Sequence, residues 1–242
     1  INIAINPNDA NHVVATSGVR GTTLGFWVSR DGGNTWTMPQ AFANLATQTT
    51  RDVTTLAVDP TDFNHMLVGS HSPWTNGQPP GVMETKDGGT TWTAHPGATG
   101  WPAGSAGIAF LYNPATGQGN ANTWIVMIDG GGTDIEGFWR TTDAGTTWTH
   151  VAGTAITGSY DSVSHGGAFI YYTKAGVIYA GGTPYPHRSY DNGVTWQQIT
   201  ELSASWYYTI YGDGNNLYTN ISYAIDTPFW SPTPFLVAPE AT

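Results

Sequence analysis

Apolar and polar positions alternate along this chain in short runs, and turn residues close almost every run. Val53-Thr54-Thr55-Leu56-Ala57-Val58 stops at Asp59-Pro60-Thr61-Asp62, and Leu217-Tyr218-Thr219-Asn220-Ile221 follows Gly212-Asp213-Gly214-Asn215-Asn216. Period-two alternation bounded by Gly, Pro, Asn and Asp predicts β-strands. No window keeps a helical spacing for a dozen residues, so very little helix is expected. The predicted strands fall into units. The first unit holds Ile1–Asn6, His12–Ser17, Gly25–Arg30 and Thr35–Met38; the second holds Val53–Val58, His65–Ser70, Gly81–Lys86 and Thr91–Ala94. The third has Gly107–Tyr112, Thr123–Asp129, Gly137–Thr142 and Thr147–Val151, and the fourth Ala168–Thr173, Val177–Gly181, His187–Tyr190 and Thr195–Ile199. A fifth offers Tyr207–Tyr211 and Leu217–Tyr223 before a Pro-rich tail with an apolar Leu236-Val237-Ala238.

One octet is written four times, as Ser29–Trp36, Thr85–Trp92, Thr141–Trp148 and Ser189–Trp196, with the pattern [ST]-x-D-x-G-x-T-W. Its aspartates, Asp31, Asp87, Asp143 and Asp191, lie 56, 56 and 48 residues apart. A period near 50 residues marks one supersecondary unit copied along the chain. Within the octet, Asp accepts hydrogen bonds from backbone N–H groups ahead of it, as in an Asx-turn. Gly33, Gly89, Gly145 and Gly193 supply positive φ without a Cβ clash. Trp36, Trp92, Trp148 and Trp196 are large enough to plug the gap between neighbouring sheets. The octet therefore reads as structural. The repeat also extends outside it, because Ala4-Ile5-Asn6-Pro7 and Asn11-His12-Val13-Val14 match Ala57-Val58-Asp59-Pro60 and Asn64-His65-Met66-Leu67.

The octet resembles the Asp-box, or bacterial neuraminidase repeat, of β-propeller proteins. That resemblance implies an all-β propeller of four-stranded antiparallel blades, with about five present in one domain (1–38, 53–94, 107–151, 168–199 and 207–242). A β-sandwich would offer no reason for such a repeat. Bearers of the motif include sialidases, xyloglucan-hydrolysing glycosidases, sortilin-type receptors and assembly factors of photosystem II, so the likeness carries fold, not activity. Six or seven blades are common among them. Four units and part of a fifth form either a small ring or, as the count favours, a part of a larger propeller closed by remaining blades or another chain.

Charged residues make up 10% of the chain and the net charge is −10, with only seven Lys and Arg. Scattered singly, these give no electrostatic footprint for nucleic acid or an anionic membrane. There is no cysteine, hence no disulfide or thiolate metal site. No apolar stretch is long enough for a membrane helix. The chain opens on Ile1, as a mature secreted protein, a proteolytic fragment or a segment of a longer chain would. The Thr-, Asn-, Gly- and Trp-rich, Lys-poor makeup points to export, extracellular or periplasmic. Asn220-Ile221-Ser222 is a glycosylation sequon that matters only in a eukaryotic secretory setting.

In a blade of this order the loops between strands two and three, and the connections between blades, open on one face; the octet turns open on the other. The first face carries Asp52, Asp129, Asp134, Glu136, Asp161 and Glu201, from which a hydrolase would draw an acid and a base. For each of them, turn capping or plain solvation is the simpler role. Asp129-Gly-Gly-Gly-Thr-Asp134-Ile-Glu136 offers oxygen ligands to Ca²⁺ but lacks EF-hand spacing, so no metal or cofactor is expected. Trp74, Trp101, Tyr185, Trp206 and Tyr207 are aromatic residues of the same loops, suited either to stacking on a sugar or a protein partner or to packing between blades. His71, His165 and His187 have no metal-site spacing.

The catalytic residues of the resembling enzymes do not carry over. The sialidase arginine triad has only Arg20, Arg30, Arg51, Arg140 and Arg188 to draw on, and the family's first-blade Arg-Ile-Pro motif is missing. The stretch matching the Arg-Thr-Asp-Ile-Gly-Gly run of xyloglucan-hydrolysing relatives, Ala15–Gly21, contains no Asp. The expectation is a non-catalytic binding or assembly module for a glycan or a protein, with a glycoside hydrolase using paired carboxylates as the alternative.

Overall fold

A computed structural model describes residues 2–18, 22–101, 105–128, 135–151, 170–173, 176–181, 185–200, 206–212, 216–222 and 235–239, the last three stretches and 105–106 by backbone alone. Within them the chain folds into five antiparallel sheets, three of four strands and two of three. The first sheet is β1 (Asn2–Asn6), β2 (Asp9–Ser17) and β3 (Gly25–Ser29), with a rudimentary fourth strand where Thr37 bridges Val28. The second is β4 (Val53–Asp59), β5 (Asp62–Ser70), β6 (Val82–Thr85) and β7 (Thr93–His95). The third is β8 (Ser105–Asn113), β9 (Gln118–Ile128), β10 (Gly137–Thr141) and β11 (Thr149–His150). The fourth is β12 (Ile170–Tyr172), β13 (Ile178–Ala180), β14 (His187–Ser189) and β15 (Gln197–Gln198). The fifth is β16 (Trp206–Gly212), β17 (Asn216–Ser222) and β18 (Phe235–Pro239), so the apolar run after the Pro-rich stretch is a strand. Order within each sheet follows the chain, and the leading strands touch in succession: β1 meets β4, β4 meets β8, β8 meets β12 and β12 meets β16. This is a β-propeller, with the leading strands around the axis.

Sheets stacked in this way cover one another on both sides. That is why His65–Ser70 is buried without interruption, whereas β4 alternates strictly between buried and half-buried positions. The core accordingly divides by interface. Val14, Phe26, Phe42 and Met66 join the first sheet to the second; Leu67, Trp124 and Val126 join the second to the third; Leu111, Ile125, Phe138 and Trp196 join the third to the fourth. The expected near-absence of helix has one exception. Gln40–Leu45 forms α1 in the crossover between the first two sheets and sinks Phe42 completely.

The octets build the turns after the third strands, and all four share one hydrogen-bond scheme. In the first, Ser29 Oγ donates to Asp31 Oδ1 (2.8 Å) and accepts the Gly33 N–H (2.8 Å). Asp31 accepts the Thr35 N–H (2.8 Å) and the Thr35 hydroxyl (2.7 Å). Residues four and five of each octet have positive φ, including Ala144 (53°) and Asn192 (57°), so two left-handed residues are needed where one was foreseen. Because the Thr is held inside the turn, the fourth strands start later than the alternation predicts, at Thr93, Thr149 and Gln197. The turn then seats on its own sheet: Gly32, Gly88 and Ala144 donate their N–H groups to Asn11, Asn64 and Asn122 carbonyls.

The expected plug is present as well. Trp92 meets Phe26 edge-on (4.9 Å), Trp148 packs on Trp101 (5.1 Å), and Trp196 stacks flat on Phe138 (4.2 Å, 5° between planes). Trp92 and Trp196 contact the sheet before their own, and Trp148 the crossover that leaves it.

Candidate functional site

Asp52 stands just ahead of β4 on the face opposite the octets, and it is 9% exposed. The register between β4 and β5 brings His71 beside it, where the Asp52 carbonyl accepts the His71 N–H (2.8 Å). Asp52 Oδ2 takes hydrogen bonds from His71 Nδ1 (2.9 Å) and the Ser72 hydroxyl (2.6 Å). A carboxylate so engaged orients an imidazole; it is not presented as a lone nucleophile. The Ser17-Gly18 end of the first sheet closes over it, since a Cβ on Gly18 would lie 2.8 Å from Asp52 Oδ1. Asp129, Asp134, Asp161, Glu201 and His165 lie outside the described residues. Glu136 is buried at 8% exposure ahead of β10. No acid–base pair of carboxylates is thus brought together among the described residues.

Two of the aromatic candidates require correction. Trp74 and Trp101 are each 4% exposed and cannot stack on a ligand. Backbone hydrogen bonds from Thr75 and Asn76 to Thr49 and Gln48 fold the His71–Pro80 loop down onto the crossover, and Trp74 donates to Ser70 Oγ (3.1 Å) within the core of the first interface. Trp101 lies against Gly97, between Trp139 and Trp148. The Pro/Gly richness of both loops correctly signals tight turns, but it serves to turn the rings inward. Tyr185 is half-buried just ahead of the third strand of the fourth sheet. The side chains of Trp206 and Tyr207 are outside the described residues. His187 is buried in β14 against Phe138 (5.6 Å), and burial lowers its pKa to about 4, so it is a neutral imidazole packed in the core. Among the described residues no group of three or more His, Asp or Glu side chains is arranged so that it could hold a metal ion.

Two features escaped the sequence reading. The first is a buried network near the octet face of the second sheet. His65 Nδ1 bonds Asp59 Oδ2 (3.0 Å), His65 Nε2 bonds Glu84 Oε1 (2.8 Å), and Glu84 Oε2 bonds His95 Nε2 (3.0 Å). Lys86 approaches Glu84 from solvent at 3.3 Å. Burial alone would lower the His65 pKa, but hydrogen bonds to Glu84 and Asp59 prevail and raise it. Burial alone would raise that of Glu84, but its bonds to His65 and His95 bring it down to about 2. Closed off from solvent, these groups hold structure. The available signal was Glu84, a lone charge inside Val82-Met83-Glu84-Thr85.

The second is an axial cavity of about 430 Å³ between β4, β8 and β12. Leu56, Val58, Ile108, Phe110, Ile170 and Tyr172 are part of its wall, and among the described residues no carboxylate, histidine or cation lines it. Its polar groups are few and partly committed: the Tyr172 hydroxyl donates to Asn192 Oδ1 (2.9 Å) and Asn113 Nδ2 to the Thr173 carbonyl (3.2 Å). Central alternation in three separate units hinted at such a lining, but nothing local said that the inner strands stand apart.

No family model matches the chain, and no curated protein sequence matches it. Solved structures do. A GH74 enzyme of Niastella koreensis aligns at TM-score 0.63 and 18% identity over 90% of this chain and 32% of its own. The GH74 xyloglucanase of Xanthomonas campestris aligns at 0.65 and 16%, over 98% of this chain and 35% of its own. YCF48 bound to D1 peptide aligns at 0.52 and 16%, over 91% of this chain and 60% of its own. The chain therefore spans about a third of the enzymes and less than two thirds of YCF48. At these identities the likeness is one of fold, shared by enzymes and a peptide-bound protein alike.

Proposed function

We propose that this chain is part of an exported Asp-box propeller that binds a protein segment and does not itself hydrolyse glycans. The composition of the axial cavity carries the reading. Among the described residues its wall is mostly aliphatic and aromatic, with one amide and three hydroxyls, which suits an apolar peptide and offers no acid or base for glycosidic cleavage. The burial of Trp74 and Trp101 supports a protein over a sugar, because the flat rings a sugar would use are spent in the core. YCF48, a propeller of similar fold, is known with a bound peptide.

The test fills the cavity. Ala109, half-buried on β8, is replaced by Trp, and folding is checked by thermal melting. An array of extended apolar peptides supplies the probes, and the best binder is titrated by fluorescence anisotropy. At least tenfold weaker binding to Ala109→Trp is expected. Unchanged affinity would reject the cavity as the site. A second reading, hydrolysis of the GH74 kind, rests on the two enzymes of similar fold and on the Asp52–His71 pair at the loop face. Release of reducing sugar from xyloglucan that is abolished by Asp52→Asn would establish it instead.

A further inference from the structure

The chain contains the same interface three times and half of it a fourth time. In the second sheet, Leu56 and Val58 of β4 and the octet tryptophan Trp92 all pack onto the first-interface core that includes Val14, Phe26 and Phe42. A Cβ on Gly89 would lie 3.3 Å from Pro39 of the first sheet's crossover. The corresponding glycines of the third and fourth sheets are equally hemmed in: Gly145 by His95 (2.9 Å) and Gly193 by Leu111 (2.9 Å), each from the sheet before. The repeat maps Leu56, Val58, Gly89 and Trp92 onto Ile3, Ile5, Gly33 and Trp36. There the apparatus is bare. Ile3 is 62% exposed, Ile5 59% and Trp36 36%, and a Cβ on Gly33 would meet only its own Trp36, at 3.7 Å.

We infer that this face of the first sheet is a blade-docking surface, and that its occupant is a preceding blade of the same polypeptide. The occupant's chemistry follows from the interfaces at hand: an aliphatic and aromatic sheet face like that formed by Val14, Phe26 and Phe42. Two large β-branched side chains and an indole, aligned on one sheet and open to water, form a patch of the kind that marks an interaction site. The fifth sheet packs against β12 and β13 of the fourth. The matching solved propellers have much more chain than this one, which is where a covering blade would come from. The inference rests on the fold alone and is independent of the axial cavity's ligand.

The double substitution Ile3→Lys/Ile5→Lys tests it, since both side chains are exposed here and the isolated chain should tolerate the charges. It is made in the 242-residue chain and in the natural polypeptide that includes its upstream sequence. In the short chain the substitutions should abolish fluorescence enhancement of anilinonaphthalene sulfonate while leaving Tm within about 2 °C. In the long polypeptide they should lower Tm by about 5–10 °C, because the two charges are then buried without partners. An equal, small effect in both would overturn the inference, as would a natural polypeptide without an upstream blade. A short chain that sediments as a dimer and is made monomeric by the substitutions would assign the face to a second copy. Amide exchange in β1 as slow as in β4 in the short chain would show that its own fifth sheet covers the face.

Discussion

Within the octet the hydroxyl at the first position does more than its place in the pattern suggests. Thr141 is 2% exposed; its Oγ1 donates to Asp143 Oδ1 (2.7 Å) and accepts the Gly145 N–H (3.0 Å). Ser29, Thr85 and Ser189 do the same, each close to fully buried. The aspartate is the visible signature, yet it is largely exposed, and its hydrogen bonds to Thr35 are what hold the Asp31 pKa down to about 2. Thr141→Val keeps the shape and removes both bonds, leaving a buried N–H unsatisfied. Such an orphan costs about 1–3 kcal/mol, and Thr141→Ser should restore most of it, both read from urea unfolding. Local chemistry of this kind was legible, since Asp, Gly and Thr lie within one turn of each other. The direction of a ring in a ten-residue loop was not: Trp74 and Trp101 have the same Pro/Gly neighbours whether they face water or the core.

Single sheets differ more than their repeat implies. His12 and His65 occupy one repeat position, and each meets an aromatic ring of the next sheet edge-on, Phe63 at 4.9 Å and Phe110 at 4.7 Å. Around His12 the repeat places Asn6 and Val28 where His65 has Asp59 and Glu84. Burial and the charge of Arg30 lower the His12 pKa, while His65 is raised. One backbone site thus favours the neutral imidazole in the first sheet and the protonated one in the second. His65 contributes stability fully below its ordinary 6.5 and loses it as pH rises through its higher folded value. Glu84 contributes fully above its ordinary 4.5 and loses it as pH falls through about 2. Between pH 4.5 and 6.5 both contributions are present. Glu84→Gln removes one carboxylate from a buried pair and should cost about 3 kcal/mol at pH 5.5. The penalty should shrink toward pH 8.5, as Tm measured against pH will show; a penalty independent of pH would mean that His65 is neutral throughout. Pairwise alignment of the units exposed the shared histidine. Its two protonation states depend on residues at separate strand positions, which only the register brings together.

Across the whole molecule, stability should divide by interface, because among the described residues each sheet packs chiefly on its neighbours, as in repeat proteins. The tryptophan series measures this. Trp196 is 3% exposed and stacked on Phe138, Trp92 is half-buried against Phe26 and Phe42, and Trp36 stands open. Substitution by Ala should cost about 3–5 kcal/mol at Trp196, less at Trp92, and under about 1 kcal/mol at Trp36 in this chain. The radial arrangement adds a sharper demand. Trp196→Ala and Phe138→Ala face each other across one interface and should couple by about 1 kcal/mol or more in a double-mutant cycle, whereas Trp196→Ala and Trp92→Ala, two interfaces apart, should add. Chemical denaturation monitored by circular dichroism supplies all the values. Equal coupling for both pairs would mean that the sheets share one undivided core, and that the period of the sequence does not set the units of stability.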